Sequence, residues 1–186
     1  PSGVGAAGRA VISALAAQDC IEIAPRLLLE TIRRRAVRAL IITDAREVLL
    51  LRIRPPHGDC FWIAPGGGIE GDETAEATLR RELAEELGLV AFAHGAAVWR
   101  RHHTFNWGGR RISQKEEYRI VHADRFHPVM TDAAEAKVLD CFRWWPIADL
   151  SRAEERLTPL SLAAILENYL RAGAPSELPD EEVLVD

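Results

Sequence analysis

The stretch that decides the fold is GGIEGDETAEATLRRELAEELGL, which runs from Gly67 to Leu89 with glycines and charged residues at fixed intervals. Three of its carboxylates, Glu82, Glu85 and Glu86, stand at positions i, i+3 and i+4. On a helix this spacing places them on one face, where like charges destabilise one another by roughly 0.2–0.5 kcal/mol per pair. A positively charged partner is therefore expected between these three side chains, which we call the box carboxylates.

A hard divalent cation is the partner that such a cluster favours. Carboxylate oxygens suit Mg²⁺ or Mn²⁺, and the cluster offers neither the thiolate nor the imidazole groups that select zinc or copper. Mg²⁺ usually keeps several waters and shares phosphate oxygens with a substrate, so the cluster indicates phosphate chemistry. The alternative is a solvent-exposed acidic face of a helix, which is common for charged residues. The residues that flank the cluster favour the metal site.

The whole stretch resembles the Nudix box, because its glycine, glutamate, arginine and paired-glutamate positions all have the spacing of that family. The segment PGGGIEGDET, residues 65–74, is also similar to the family's lead-in. This resemblance implies a Nudix fold, an α/β/α sandwich with a mixed sheet, in which the box forms a loop, helix and loop that bind a metal and a diphosphate. It also implies that Arg81 holds Glu73 in a structural ion pair.

The box positions can also be interpreted from their physical properties. Gly66–Gly68 can adopt backbone conformations that are barred to other residues and can let a carbonyl or amide approach a metal or phosphate closely. Thr74 or Asp72 would cap the start of the helix, and Gly88 fits its end. Three leucines at four-residue spacing would face the core: Leu79, Leu83 and Leu87. The predicted helix thus has one apolar side and one acidic side.

The predicted metal ligands are the Gly66 carbonyl and the carboxylates of Glu82, Glu85 and Glu86, with Mg²⁺ or Mn²⁺ as the cofactor. The three glutamates are also the predicted catalytic residues. Metal-bound water is acidic, so a glutamate with an ordinary pKa is an adequate base. Glu86 and Glu82 are the leading candidates for the base.

Two further glutamates follow the box. Nudix family members often place a glutamate on a later strand as a metal ligand or base, and the resemblance makes Glu116 a candidate ligand and Glu117 a candidate catalytic residue. On a strand these neighbours face opposite sides, so at most one can point at the metal. Glu116 would share its face with Gln114 and Tyr118. The sequence leaves the choice between the two glutamates open.

Basic and aromatic residues cluster around a predicted hairpin turn. Arginine can hold phosphates bidentately and tryptophan can stack on a base, so this cluster is a candidate for substrate selection. The alternative is a solvent-exposed hairpin whose aromatic side chains pack inward. Two adjacent histidines in it would diverge on a strand, which disfavours a metal site there. The residues are Trp99, Arg100, Arg101, His102, His103, Phe105, Trp107, Arg110 and Arg111.

Length, composition and charge are typical of a small enzyme. A chain of 186 residues with 48% hydrophobic and 27% charged residues can bury a sizeable core in one domain. The net charge of -5 disfavours a protein that coats extended nucleic acid but permits a nucleotide ligand. Three widely spaced cysteines favour the reducing cytoplasm and no structural zinc. No stretch approaches the roughly 18 apolar residues of a membrane span.

The organisation predicted along the chain has three parts. Residues 1–33 form an N-terminal extension, with helical spacing at 9–17 and 24–34; residues 34–174 form the Nudix domain; residues 175–186 form a loose acidic tail. Because the first residue is not methionine, a removed targeting segment is left open. Strands are predicted at 36–43, 48–53, 61–64, 96–105, 112–123 and 141–145, and a second helix at 160–170.

The predicted activity is metal-dependent hydrolysis of a diphosphate linkage in a nucleoside diphosphate derivative. Nucleoside triphosphates, dinucleoside polyphosphates and nucleotide sugars all fit as the small-molecule partner, and a homodimer is left open. Two other classes stay open. One is a nucleotide-sensing module that binds without turnover. The other is an isomerase of isopentenyl diphosphate, which shares the fold and uses a cysteine; Cys60 lies before the box but lacks the surrounding residues of that family.

Overall fold

The structure is a computed structural model that describes residues 30–55, 58–107, 109–130 and 135–185. Its two α-helices are α1 (Ala75–Leu87) and α2 (Leu162–Ala172), and short 3₁₀ helices cover Glu135–Lys137 and Ile147–Arg152. The strands are β1 (Thr31–Ile42), β2 (Glu47–Ile53), β3 (Phe61–Ile63), β4 (Ala93–Trp107), β5 (Arg110–His122), β6 (Leu139–Pro146), β7 (Arg156–Thr158) and β8 (Glu182–Val185).

The strands form one mixed sheet in the order β7-β3-β2-β1-β5-β4-β8, and β6 pairs with β2 off this path. The central strand β1 runs parallel to β5 over its whole length, from Thr31 opposite Arg111 to Ile42 opposite His122. β4 and β5 form the antiparallel hairpin that the sequence predicts. β1 is buried continuously from Ala36 to Ile42, which is typical of a strand covered on both faces.

One helix covers each face of the sheet. On one face α1 packs its predicted leucine stripe, including Leu79 and Leu83, against a core that contains Val37 of β1. On the other face α2 packs Leu162 and Leu166 into a second core with Leu40, Tyr118 and Ile120, as well as Trp62 and Trp145. The α/β/α sandwich with a mixed sheet is therefore confirmed.

Both ends of α1 are fixed by the capping residues that its sequence contains. The Thr74 hydroxyl oxygen accepts a hydrogen bond from the Ala77 amide at 3.1 Å, so Thr74 rather than Asp72 is the N-cap. Gly88 ends the helix in the left-handed conformation with φ 67°, and its amide donates to the Ala84 carbonyl at 3.1 Å. The box helix is thus defined by local sequence.

Two predictions at the ends of the domain were wrong. The helix predicted over residues 24–34 ends in strand, because residues 31–34 belong to β1 and pair with β5; its earlier part and the helix at 9–17 lie outside the described residues. The tail is not loose at residues 182–185, which form β8 and pair in parallel with β4. The outer edge of β4 has unpaired backbone groups that β8 satisfies.

Within the described ranges, neither α-helix has the length and the apolar character that crossing a membrane would require.

Candidate active site

The loop before α1 is held along the part of β1 from Arg35 to Ala39, next to the point at Ile42 where β1 pairs with β2. This segment, residues 65–69, which we call the glycine loop, accepts hydrogen bonds at Gly67 O from the Val37 amide (3.0 Å) and at Pro65 O from the Ala39 amide (2.8 Å). Gly66 has a φ of 120°, and a Cβ there would lie less than 3.0 Å from the Val37 carbonyl oxygen. Only glycine permits this close approach of loop and strand.

The buried carboxylate of Glu82 lies directly against Gly67. A Cβ at Gly67 would lie less than 3.0 Å from both Glu82 carboxylate oxygens, so the missing side chain makes room for Glu82. The Arg81 guanidinium donates to Glu82 Oε1 at 2.7 Å. Burial raises the pKa of Glu82, and Arg81 only partly offsets this effect.

The other two box carboxylates contact the glycine loop and Arg81, respectively. Glu86 is 2% exposed, and its Oε2 accepts a hydrogen bond from the Gly66 amide at 2.7 Å. Glu85 is more open, with 40% of its side chain exposed, and its Oε2 lies 3.6 Å from Arg81 Nη1. The helix therefore directs all three carboxylates toward the loop or toward Arg81, as their spacing predicts.

The ion pair between Arg81 and Glu73 joins the loop to the helix. Arg81 Nε donates to Glu73 Oε1 at 3.0 Å and Nη2 donates to Oε2 at 2.9 Å, which is a bidentate arrangement. Arg81 Nη2 also donates to the Gly68 carbonyl at 3.0 Å. The hydrogen bonds from Arg81 lower the pKa of Glu73 to about 2. This pair has the structural role that the resemblance implies.

The donor set at the loop fits a hard divalent cation, because it consists of carboxylate and carbonyl oxygens. Among the described residues, however, no three acidic, histidine or cysteine side chains already converge as a metal site. Arg81 donates to Glu82, and Arg38 Nη1 donates to the Gly66 carbonyl. A bound cation would therefore compete with two arginines for these oxygens.

Glu116 and Glu117 face opposite sides of β5, as alternation predicts. Glu117 is half-exposed and accepts a hydrogen bond from Arg119 at 2.9 Å on the α1 side of the sheet. Glu116 is 3% exposed and lies on the other side, which carries Leu40 and Tyr118. The structure thus separates the two candidates and does not bring Glu116 into a carboxylate cluster with the box.

Glu116 is the centre of a buried polar cluster. Its Oε1 accepts hydrogen bonds from Arg38 Nε (3.2 Å) and Gln114 Nε2 (2.7 Å), and its Oε2 accepts from Tyr118 (3.1 Å) and from Arg101 through Nε (2.7 Å) and Nη2. Burial alone would raise the pKa of Glu116, but Arg101 and Arg38 outweigh it and lower the pKa to about 2. We call these five residues the Glu116 cluster.

Arg38 is a functional candidate that the sequence interpretation missed. It is 2% exposed and connects the Glu116 cluster to the Gly66 carbonyl. Burial disfavours its charge, but Glu116 raises the pKa of Arg38 above its ordinary value. The signal in the sequence is an arginine within the apolar run AVRALII, residues 36–42, because a charge in a buried strand needs a partner.

Side chains of the β4–β5 hairpin pack mainly onto their neighbours. His102 Nε2 is hydrogen-bonded to Ser113 Oγ at 2.7 Å, and the His103 ring lies 4.7 Å from the Phe105 ring. The Trp99 indole donates to Glu182 of β8 at 3.3 Å. The hairpin contributes Arg101 to the buried cluster, and its two histidines form no metal site among the described residues.

Comparison with known families gives one clear match. The family model for the NUDIX domain matches residues 32–165, which cover the glycine loop, α1 and the Glu116 cluster.

Two curated relatives match parts of the chain. MutT4 of Mycobacterium tuberculosis is 31% identical over 140 residues, which are 73% of this chain and 54% of that protein. The 8-oxo-dGTP diphosphatase of Proteus vulgaris is 40% identical over 55 residues, which are 28% of this chain and 49% of that protein. The chain thus spans about half the length of these relatives.

The fold is shared with a solved structure. The MutT protein from Methanosarcina mazei Go1 superposes with a TM-score of 0.56 at 21% identity, covering 77% of this chain and 96% of the other. This likeness extends the agreement in fold beyond the box.

Proposed function

This chain belongs to the Nudix family, and from that premise we propose that it catalyses metal-dependent hydrolysis of a diphosphate linkage in a nucleoside diphosphate derivative. One observation carries the proposal: two box carboxylates of α1, Glu82 and Glu86, lie against a glycine loop whose close packing on β1 requires Gly66 and whose Gly67 makes room for Glu82. Such a set of hard oxygen donors suits a cation that also binds phosphate oxygens.

Nucleoside triphosphates are the substrate class that we propose first. Support comes from the Proteus vulgaris relative, which is an 8-oxo-dGTP diphosphatase. The match includes only 49% of that relative, so the substrate is carried over as a proposal. Dinucleoside polyphosphates and nucleotide sugars are the alternatives within the same reaction.

Glu82, Glu85 and Glu86 would hold Mg²⁺ or Mn²⁺, with the Gly66 carbonyl as a further ligand. A cation bound there would neutralise charge on phosphate oxygens and acidify a water. The residues of the chain hold the carboxylates in position and supply the general base. Arg81 binds both Glu73 and the Gly68 carbonyl and so fixes the glycine loop against the helix, which keeps the carboxylates in position.

A carboxylate oxygen of Glu86 or Glu82 would take the proton from the attacking water. Burial raises the pKa of Glu82, which makes it a stronger base than an exposed glutamate. Glu117 is a third candidate, on the α1 side of the sheet. Because five hydrogen bonds already reach Glu116, we assign it to positioning Arg38 and Arg101 instead of to a metal.

A turnover screen tests this proposal. Purified protein is assayed with Mg²⁺ or Mn²⁺ on nucleoside triphosphates including 8-oxo-dGTP, dinucleoside polyphosphates, ADP-ribose, nucleotide sugars and NADH, and the products are identified by mass. Metal-dependent cleavage of one class supports hydrolysis and identifies the substrate. Nucleotide binding without any turnover would instead favour the sensing module.

Variants on α1 provide the control for the screen. Glu85→Gln and Glu86→Gln should each reduce kcat by about 10²-fold or more, since each removes a carboxylate that acts in the transition state. Glu76→Gln changes an exposed glutamate of the same helix and should keep turnover. Wild-type rates in both box variants would exclude the proposed metal site.

A further inference from the structure

The Glu116 carboxylate has no capacity left for another cation. It accepts five hydrogen bonds from the other four members of its cluster, whereas two carboxylate oxygens offer about four lone-pair sites. Two of those donors, Arg38 and Arg101, each carry a positive charge, and together these charges exceed the single negative charge of Glu116. Any further guanidinium on this face of the sheet must find a different acceptor.

Arg34 is such a guanidinium. It lies on the same face of β1 as Arg38, and its Cα pairs with that of Gln114 on β5. The Nε and Nη2 atoms of Arg34 and the Nη2 atom of Arg38 are buried, and none of the three has a hydrogen-bond partner among the described residues. Gln114 Oε1 is likewise buried without a partner there.

These unpartnered donors are energetically unfavourable in the free protein. Each buried guanidinium N–H without an acceptor carries a desolvation cost that no hydrogen bond offsets at that atom. Burial and repulsion from Arg38 lower the pKa of Arg34 to about 10. Glu116 is the carboxylate that Arg38 and Arg101 both contact, and Glu86 and Glu182 also attract Arg38 and Arg101, respectively, but no acceptor among the described residues reaches the Nε and Nη2 atoms of Arg34. An added anion would supply the missing acceptors.

We propose that Arg34 and Arg38 form a binding site for a phosphoryl oxyanion. Guanidinium N–H groups match phosphate oxygens in geometry and bind them with charge-assisted hydrogen bonds. Gln114 Oε1 would accept a hydrogen bond from the O–H group of a singly protonated phosphate. The anion is either a phosphate group of a nucleotide or free inorganic phosphate. The site needs no metal, so it does not depend on the proposed hydrolysis.

Calorimetric titration with pyrophosphate in EDTA tests the site without any contribution from a bound cation. Wild-type protein should bind pyrophosphate, and Arg34→Gln should bind it at least about tenfold more weakly, which corresponds to about 1.4 kcal/mol. The matched control is Arg33→Gln, which removes the same charge from the exposed neighbouring residue and should keep wild-type affinity. No binding by the wild type, or equal affinity in Arg34→Gln, would overturn the proposal.

Thermal stability without phosphate separates a binding role from a structural one. Because the buried Nε and Nη2 atoms of Arg34 have no hydrogen bond to lose among the described residues, Arg34→Gln should raise Tm by about 2–4 °C, the shift that a small gain in stability produces in a chain of this size. Arg33→Gln should leave Tm nearly unchanged. A lower Tm for Arg34→Gln would show that its guanidinium stabilises the fold and would contradict a site kept for a ligand.

Competition identifies the source of the anion. If dGTP displaces pyrophosphate in EDTA, the site takes a phosphate group of a nucleotide. If dGTP and pyrophosphate bind to the protein at the same time, the site takes free phosphate. Each result supports an oxyanion site at Arg34, and neither depends on whether the protein hydrolyses any nucleotide.

Discussion

At the scale of single residues, Gly67 connects backbone packing to the chemistry of the site. A Cβ at this position would overlap the Glu82 carboxylate, so Gly67→Ala should displace Glu82. We expect stability to fall by about 1–3 kcal/mol, as for other overpacking substitutions, and kcat to fall with it. Thermal melts and steady-state kinetics measure both effects.

The Glu82→Gln variant provides the comparison for Gly67→Ala. If both substitutions act through the same carboxylate, the double variant should lose little more turnover than the worse single variant. Wild-type kinetics in Gly67→Ala would mean that catalysis does not require Glu82 in its observed position.

The ion pair of Glu73 gives a prediction about pH. Its pKa is lowered to about 2 in the folded protein, compared with about 4.3 in an unfolded chain. A lowered pKa contributes stability that is present above the unfolded value and is lost as pH falls toward the folded value. Glu73→Gln should therefore destabilise the protein at pH 7, and this difference from the wild type should shrink between about pH 5 and pH 2.

Urea unfolding of both proteins across that pH range measures the effect. Glu76→Gln, which removes one carboxylate from the nearby first turn of α1, is the control. A stability difference between Glu73→Gln and the wild type that is constant from pH 7 to pH 3 would contradict the assignment of the shift to the Arg81 pair.

At the scale of elements, local sequence defines α1 and long-range pairing defines the rest of the site. The helix, its caps and the box carboxylates follow from spacing within 25 residues, so they are predictable from the chain alone. Arg38 and Glu116 are 78 positions apart, and only the register of β1 on β5 places them together. Alternation along the sequence predicts on which face of the sheet a side chain lies, but it does not predict which residue of the neighbouring strand lies beside it.

β8 was missed for a related reason. Its four residues form a short strand in an acidic segment, and its position depends on the unpaired edge of β4, which the local pattern does not contain. The start of β1 at Thr31 was missed because the apolar residues before the strand have helical spacing. That spacing continues into the first residues of β1, so the local pattern does not mark where the strand begins.

Removing residues 182–186 should affect the edge of the sheet. The backbone of β4 from Arg101 to Thr104 would lose its partner, and an unpaired edge favours association with other chains. We expect a lower Tm and a concentration-dependent increase in mass, measured by sedimentation. Val183→Lys is the control, because the Val183 side chain is exposed and the backbone pairing would remain. If the truncated chain shows no increase in mass with concentration and keeps the wild-type Tm, β8 adds no stability.

At the scale of the whole molecule, β1 joins the two cores and the site. Its two faces contribute to the cores under α1 and α2, and its residues 35–39 bind the glycine loop. A ligand that tightens the loop should therefore stabilise the entire domain, because local opening of the loop also exposes β1.

Mg²⁺ should raise Tm through this connection. A ligand at 100 times its Kd stabilises the folded state by about 2.7 kcal/mol. The increase should disappear in the Glu85→Gln/Glu86→Gln double variant and persist in Glu76→Gln, as measured by thermal melts at fixed ionic strength. An equal response to Mg²⁺ in the double variant would place the cation elsewhere.

The saturated carboxylate of Glu116 also has a consequence for evolution. Loss of Glu116 alone would leave the buried charges of Arg38 and Arg101 without the carboxylate they share, and loss of Arg38 or Arg101 alone would remove positive charge that keeps the buried Glu116 carboxylate ionised. Single substitutions would thus pass through destabilised intermediates. Related chains should therefore keep all three residues or replace all three. A substitution at one of these positions limits which residues the other two can carry.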